Sequence, residues 1–341
     1  MSPPDSLDLP RVEAWMAQHV PGFKGPLTAQ KMPGGQSNPT FRLTAPSGVM
    51  VLRRKPPGEL LKSAHAVDRE YRVQRALAGT AVPVARMIAL CEREDVTGTI
   101  FYVMEHIEGR VFDDPSLPAE TPAGRTAIYR ELARVLAAIH TVDIAAVGLG
   151  DFGRPGHYYE RQLARWTRQY EASALAPLPQ MHRLIDWLGA NMPPDDGTPT
   201  LVHGDVRIDN LIIAPHGPEC RAVIDWELST LGHPLADVAA LIMQWRMPAG
   251  TGGRGLDGVD RTALGLPSDA AFLSAYFESV GRPPPPSMGF YLAFAFFRMA
   301  AILEGVKRRG IDGNASDPAR AAELGAMVPV YVAKGLEARD G

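Results

Sequence analysis

The strongest constraint on this chain lies past its middle, where His203-Gly204-Asp205-Val206-Arg207-Ile208-Asp209-Asn210 is followed by Ile224-Asp225-Trp226-Glu227. Apolar runs lead into both segments: Thr200-Leu201-Val202 precedes the first, and Val223-Ile224 delivers Asp225 in the second. Short apolar runs broken by polar residues describe a strand, a polar loop and then a β-hairpin. Any fold that accommodates this segment must present Asp205 and Asn210 from a loop and Asp225 from the end of a buried strand.

The two sides of this segment differ in character. Residues 8–20 read as an amphipathic helix, with Leu9, Val12, Trp15, Met16 and Val20 near helical spacing. Strands are expected just before Gly34-Gly35-Gln36-Ser37-Asn38-Pro39, over 40–43 and over 49–53, with Ala45-Pro46-Ser47-Gly48 as the turn between the last two. A helix over 67–77 and a strand over 100–107 follow. From about residue 121 helices take over, at 127–140, 158–170, 182–188, 235–245, 270–279, 287–308 and 318–336. The pattern predicts an α+β molecule of two lobes. A small antiparallel β lobe with one helix across it would span 1–107, and a larger, mainly helical lobe would span 108–341.

Composition narrows the function classes. Hydrophobic residues are 45% and charged residues 21% of a 341-residue chain, which is the make-up of a folded protein with substantial cores. A formal net charge of −3 creates no global field for nucleic acid or an acidic membrane surface. Cys91 and Cys220 lie too far apart for a metal-ligand spacing, and a reduced, cytoplasmic setting is expected. The N-terminal residues lack the basic and apolar regions of a signal peptide. The apolar stretch 290–303 carries Arg298 at its middle and reads as a buried helix, not a membrane span.

The chemistry rests on spacing. Asp205 alone could be a capping Asp in a tight turn. With Asn210 five positions on and Asp225 fifteen beyond that, it becomes the candidate catalytic base, accepting a proton from an attacking hydroxyl. Asn210 and Asp225 are the candidate Mg²⁺ ligands, hard oxygen donors that leave room for phosphate oxygens and water. Gly34, Gly35 and Ser37 belong to a glycine-rich turn that is neither Gly-x-Gly-x-x-Gly nor a P-loop. At the start of a β-rich lobe its amides and the Ser37 hydroxyl are placed to cover the phosphates of ATP.

A cation to grip those phosphates is expected from the third strand. Period-two alternation sets Arg53 beside Val51, and Glu70 downstream can pair with Arg53, which favours it over Arg54 and Lys55. Main-chain groups of Glu105 and Ile107, at the end of the last small-lobe strand, are expected to meet the adenine edge. His203 is expected to brace the loop; Asp237 is expected either to brace it too or, equally, to be a helix N-terminal Asp favoured by the dipole. Glu227 and Arg298 are the candidate substrate contacts. Glu227 could instead hold metal or serve as a structural acceptor. Arg298, a guanidinium in an apolar helix, is expected first to pair with an internal carboxylate and otherwise to face an anionic substrate.

The His-Gly-Asp…Asn loop at 203–210 with the Asp at 225 resembles the aminoglycoside phosphotransferase/choline kinase superfamily. Closer still is the kinase-like domain fused to some acyl-CoA dehydrogenases. That resemblance is carried by Pro33-Gly34-Gly35-Gln36-Ser37-Asn38-Pro39-Thr40, Val51-Leu52-Arg53-Arg54-Lys55-Pro56-Pro57-Gly58, Ala64-His65-Ala66-Val67-Asp68-Arg69-Glu70-Tyr71 and Asp225-Trp226-Glu227-Leu228-Ser229-Thr230-Leu231-Gly232-His233-Pro234. It implies a two-lobe protein-kinase-like fold and an ATP- and Mg²⁺-dependent kinase acting on a small-molecule hydroxyl. For the fused relatives it implies hydroxy acids or hydroxyacyl-CoA thioesters as acceptors. Two alternatives stand beside this reading. An aminoglycoside-type antibiotic phosphotransferase would want an acidic cleft. A nucleotide-binding regulatory module without catalysis would suit Arg53 in place of the usual Lys, but not the intact Asp205, Asn210 and Asp225.

Overall fold

Alternation and helical stripes build the elements in chain order. The first part holds α1 (Leu9–His19), β1 (Thr28–Lys31), β2 (Thr40–Ala45), β3 (Gly48–Arg54), α2 (Val67–Leu77), β4 (Met87–Cys91), α3 (Glu94–Thr97) and β5 (Phe101–Glu105). Then come α4 (Pro122–His140), α5 (Tyr158–Ser173), α6 (Pro179–Ala190), β6 (Thr200–Val202), β7 (Leu211–Ile213), β8 (Cys220–Val223) and β9 (Thr230–Gly232). The chain finishes with α7 (Leu235–Trp245), α8 (Arg261–Leu264), α9 (Asp269–Val280), α10 (Gly289–Ile311), α11 (Pro318–Ala326) and α12 (Val328–Glu337). The structure, a computed structural model, describes residues 7–32, 38–56, 66–195, 197–250, 254–315 and 317–340. Packing divides the chain into two compact units that are not consecutive stretches. One comprises 1–112, 145–149 and 208–229; the other comprises 113–144, 150–207 and 230–341.

In the first unit, β1-β2-β3-β5-β4 form a five-stranded antiparallel sheet. Phe41, Leu43, Met50 and Leu52 alternate onto one face and bury against Val12, Trp15 and Met16 of α1. Helix α2 covers the other face, where Val67 and Tyr71 pack on Tyr102. The β7–β8 hairpin belongs to this unit and is tied to it by main-chain bonds, Val223 N–H to the Pro83 carbonyl at 2.9 Å and Arg110 N–H to the Ile213 carbonyl at 2.7 Å. The fully buried Trp226 closes the hairpin's exit, its indole N–H donating to the Val223 carbonyl at 2.9 Å.

The second unit is mostly helical. A two-stranded pair, β6 with β9, sets Leu201 opposite Leu231. Helix α10 is its core: Phe290, Phe294, Phe296, Phe297 and Ala300 are buried. By length and composition α10 could cross a membrane, yet 78% of its apolar window is buried inside the protein, as the sequence led us to expect. One expectation fails here. The stretch 318–336 is two helices, because Pro329 cannot donate to the preceding turn and the chain re-starts at Val328.

Candidate active site

In the first unit β3 positions the cation. Met50, Leu52 and Arg54 point toward α1, whereas Val51 and Arg53 point toward α2, the alternation a strand imposes. Arg54 is therefore buried over the Phe41 ring, 5.6 Å from its centroid, and donates to the Thr97 carbonyl at 3.1 Å. Arg53 instead meets three carboxylates. Its Nε donates to Glu70 Oε2 at 2.9 Å, its Nη2 to Asp225 Oδ1 at 2.6 Å, and Glu227 Oε2 lies 3.9 Å from Nη2. Burial opposes the guanidinium's charge, but Glu70, Tyr102, Asp225 and Glu227 outweigh it and hold its pKa above the ordinary arginine value. Glu70 is 1% exposed, and burial pushes its pKa up to about 7 despite Arg53.

Glu227 has a second partner, since Asn38 Nδ2 donates to its Oε2 at 3.0 Å. Asn38 is fully buried, and its Oδ1, like Glu70 Oε1, has no hydrogen-bond partner among the described residues. Asp225 adopts φ +66°, a left-handed backbone that costs a non-glycine residue on the order of 1–3 kcal/mol. Such strain persists only where the surroundings fix it, and here the Ile224 N–H holds the Asn210 carbonyl at 2.9 Å. Asn210, 5% exposed, and Asp225 together offer hard oxygen donors of the kind Mg²⁺ takes.

Gly34, Gly35 and Ser37 lie outside the described residues. The Glu105 N–H donates to the Arg86 carbonyl at 3.0 Å, and its carboxylate accepts the Arg86 N–H at 2.7 Å. Of the main-chain groups of Glu105 and Ile107, the Glu105 N–H is thus engaged within its own unit, whereas the Ile107 main chain makes no hydrogen bond among the described residues.

In the second unit the loop after β6 hangs on Asp237. Its Oδ2 accepts the His203 N–H at 2.7 Å and its Oδ1 the Gly204 N–H at 2.9 Å. Gly204 sits at φ +85°, a turn geometry that suits glycine. His203, fully buried, accepts the Asp205 N–H on Nδ1 at 3.3 Å, so it braces the loop as expected. Asp205 itself is 3.1 Å from Arg207 Nη2. Burial works against the Asp237 carboxylate, but hydrogen bonds from His140 and His203 leave its pKa below the usual value. His140 links Asp237 Oδ2, at 3.3 Å, to the Tyr276 hydroxyl, at 2.7 Å. Sequence reasoning missed His140 and Arg207; a histidine closing an apolar helix was the available signal for the first.

Arg298 departs from expectation. No carboxylate pairs with it among the described residues. Its guanidinium lies over the Trp166 ring, 5.7 Å from the centroid, and its Nε is buried without a hydrogen-bond partner. Aromatic faces stand where an acid was expected.

Comparison with known proteins adds context to this geometry. The family described as the phosphotransferase enzyme family matches residues 28–286. Acyl-CoA dehydrogenase family member 10 of Mus musculus is 46% identical over 293 residues, which cover 86% of this chain and 27% of that protein. Family member 11 of Rattus norvegicus is 42% identical over 326 residues, covering 92% of this chain and 41% of the relative. The chain therefore spans less than half the length of these curated relatives. A crystal structure from Ralstonia eutropha JMP134, assigned provisionally as an aminoglycoside phosphotransferase, is 48% identical with a TM-score of 0.90, covering 98% of this chain and 99% of that one. Aminoglycoside phosphotransferase APH(4)-Ia, solved as a ternary complex with AMP-PNP and hygromycin B, is 18% identical with a TM-score of 0.63, covering 97% and 99%. At that identity the likeness is one of fold: an α+β, kinase-like architecture shared along almost the whole chain.

Proposed function

Because the chain belongs to the phosphotransferase enzyme family, we propose that it transfers the γ-phosphoryl group of ATP to a hydroxyl of a small molecule, a hydroxy acid or hydroxyacyl-CoA. The observation that carries this reading is the cage around Arg53, where Glu70 fixes one edge of the guanidinium and Asp225 the other at 2.6 Å. A cation locked beside a strained carboxylate is what phosphoryl transfer asks of a protein, since the reaction depends on positioning and charge stabilisation. Asn210 and Asp225 are the residues that would hold Mg²⁺, which when bound neutralises charge on the phosphates. Asp205 takes the proton of the acceptor hydroxyl as its oxygen bonds to the γ-phosphorus and the bond to the ADP oxygen breaks. Asp237 and His203 keep the loop in place for that transfer. Glu227 ties the Asp225 loop to Asn38, and the glycine-rich turn before Asn38 would cover the phosphates.

Calorimetry tests the nucleotide half of this reading directly. Wild-type protein should bind ATP in a Mg²⁺-dependent manner, and Asp225→Ala should lose that dependence. Equal Mg·ATP affinity in the variant would remove Asp225 from the metal site.

A further inference from the structure

The braces on the loop after β6 act on its backbone. Asp237 holds the amides of His203 and Gly204, and His203 Nδ1 accepts the Asp205 N–H. Past Asp205 the chain is anchored again, because Val206 and Ile208 are both buried. These contacts set the place of the Asp205 Cα. The carboxylate still turns about two bonds of its own, and each rotamer aims its oxygens in a different direction. A group that must meet a hydroxyl at hydrogen-bond distance needs that freedom removed.

Arg207 removes it. Its Nη2 stands 3.1 Å from Asp205 Oδ2, with the arginine side chain 13% exposed and the aspartate side chain 30% exposed. A pair this far out of water is screened less than one on an open surface. The guanidinium is charged at any working pH and presents a planar fork, so it fixes direction as well as distance. Asp205 keeps an open side, as a group that meets an incoming molecule must. Were the pair only a staple for the loop it would be redundant, because Asp237 already holds the loop by two amides. Arg53 and Asp225 make the comparable pair in the first unit, at 2.6 Å. Each of the two candidate aspartates thus has an arginine of its own.

We propose that Arg207 is a positioning residue for phosphoryl transfer: by holding one oxygen of Asp205 it fixes the rotation of the carboxylate, and with it the aim of the acceptor hydroxyl. The proposal rests on the kinase reading and adds to it a residue that acts through Asp205. In a loose transition state the protein has little covalent chemistry to do, so the direction of the nucleophile carries much of the rate. The balance of the step is unchanged. The hydroxyl oxygen bonds to the γ-phosphorus, the bond to the ADP oxygen breaks, and the proton passes to Asp205; Arg207 neither gains nor loses one.

A double-mutant cycle on the full chain tests this, with Asp205→Asn and Arg207→Met alone and together. The readout is ADP release from Mg·ATP with a medium-chain hydroxy acid or its CoA thioester. Arg207→Met alone should lower kcat by about tenfold to a hundredfold, the cost of misplacing a reacting group by about an ångström. The KM values for ATP and acceptor should change by less than about twofold, since uniform binding is untouched. Mg·ATP affinity by calorimetry should match that of the wild type. On the Asp205→Asn background, Arg207→Met should cost less than about twofold more, because the carboxylate it steers is gone. Arg207→Lys keeps the charge without the fork and should fall between wild type and Arg207→Met; it completes the cycle if the Met variant fails to fold. Losses that multiply would give Arg207 a role apart from Asp205 and overturn the proposal. So would a fall in Mg·ATP affinity, which would place Arg207 with the nucleotide. No ADP release from wild type would sink the kinase reading and this proposal together, an outcome distinct from wild-type turnover with multiplying losses.

Discussion

At the scale of single residues, Arg53 and Glu70 carry the sharpest consequences. Arginine replaces a point charge with a planar fork, and the fork is what lets one side chain span Glu70 and Asp225. Arg53→Ala should therefore raise the apparent KM for ATP much more than that for the acceptor, a split that steady-state kinetics reads; the reverse split would move phosphate gripping elsewhere. Glu70 sets a pH dependence. Its folded pKa, about 7, stands above the ordinary 4.5, so the protonated form is favoured in the fold. Stability from this site is then fully present below the unfolded pKa and lost as pH rises through the folded one. Denaturation midpoints should show wild type losing stability relative to Glu70→Gln between roughly pH 4.5 and 7. A wild type that gains over that range would mean the Arg53 ion pair outweighs burial.

At the scale of elements, the loop after β6 is held from beneath by α4 and α7, through His140 and Asp237. Removing His140 leaves Asp237 and the Tyr276 hydroxyl each short of a buried partner. His140→Ala should cost about 1–3 kcal/mol of stability and speed amide exchange at His203 and Gly204. Unchanged exchange at those amides would show that the brace does not depend on His140. The elements were largely legible in advance, because their apolar residues recur at helical or alternating spacing: α2 and α7 fall where the pattern put them. Legibility failed where geometry, not periodicity, decides. The break at Pro329 is a single missing N–H inside an apolar pattern, and the short β9 shows itself only by its pairing with β6.

At the scale of the whole molecule, α+β architecture followed from a strand-rich start and a helix-rich remainder. The interleaving of the two compact units did not, because no local pattern says that 208–229 packs with the N-terminal sheet. Candidate residues showed the same divide. Arg53 with Glu70 was deducible from strand and helix spacing, whereas Asp237 read equally well as a helix N-terminal Asp until packing set the His203 and Gly204 amides on it. The unpaired state of Arg298 was not, since only packing reveals that Trp166 stands where a carboxylate was expected. The central claim, that these parts perform phosphoryl transfer to a small-molecule hydroxyl, is tested most directly by ADP release. Mg·ATP would be supplied with hydroxy acids, their CoA thioesters, choline or kanamycin, and Asp205→Asn would serve as the blank. The account predicts acceptor-dependent ADP release with a hydroxy acid or its thioester, lowered roughly a hundredfold or more in the blank, as loss of a positioned base requires. Turnover that is equal in Asp205→Asn, or that occurs only with kanamycin, would contradict it.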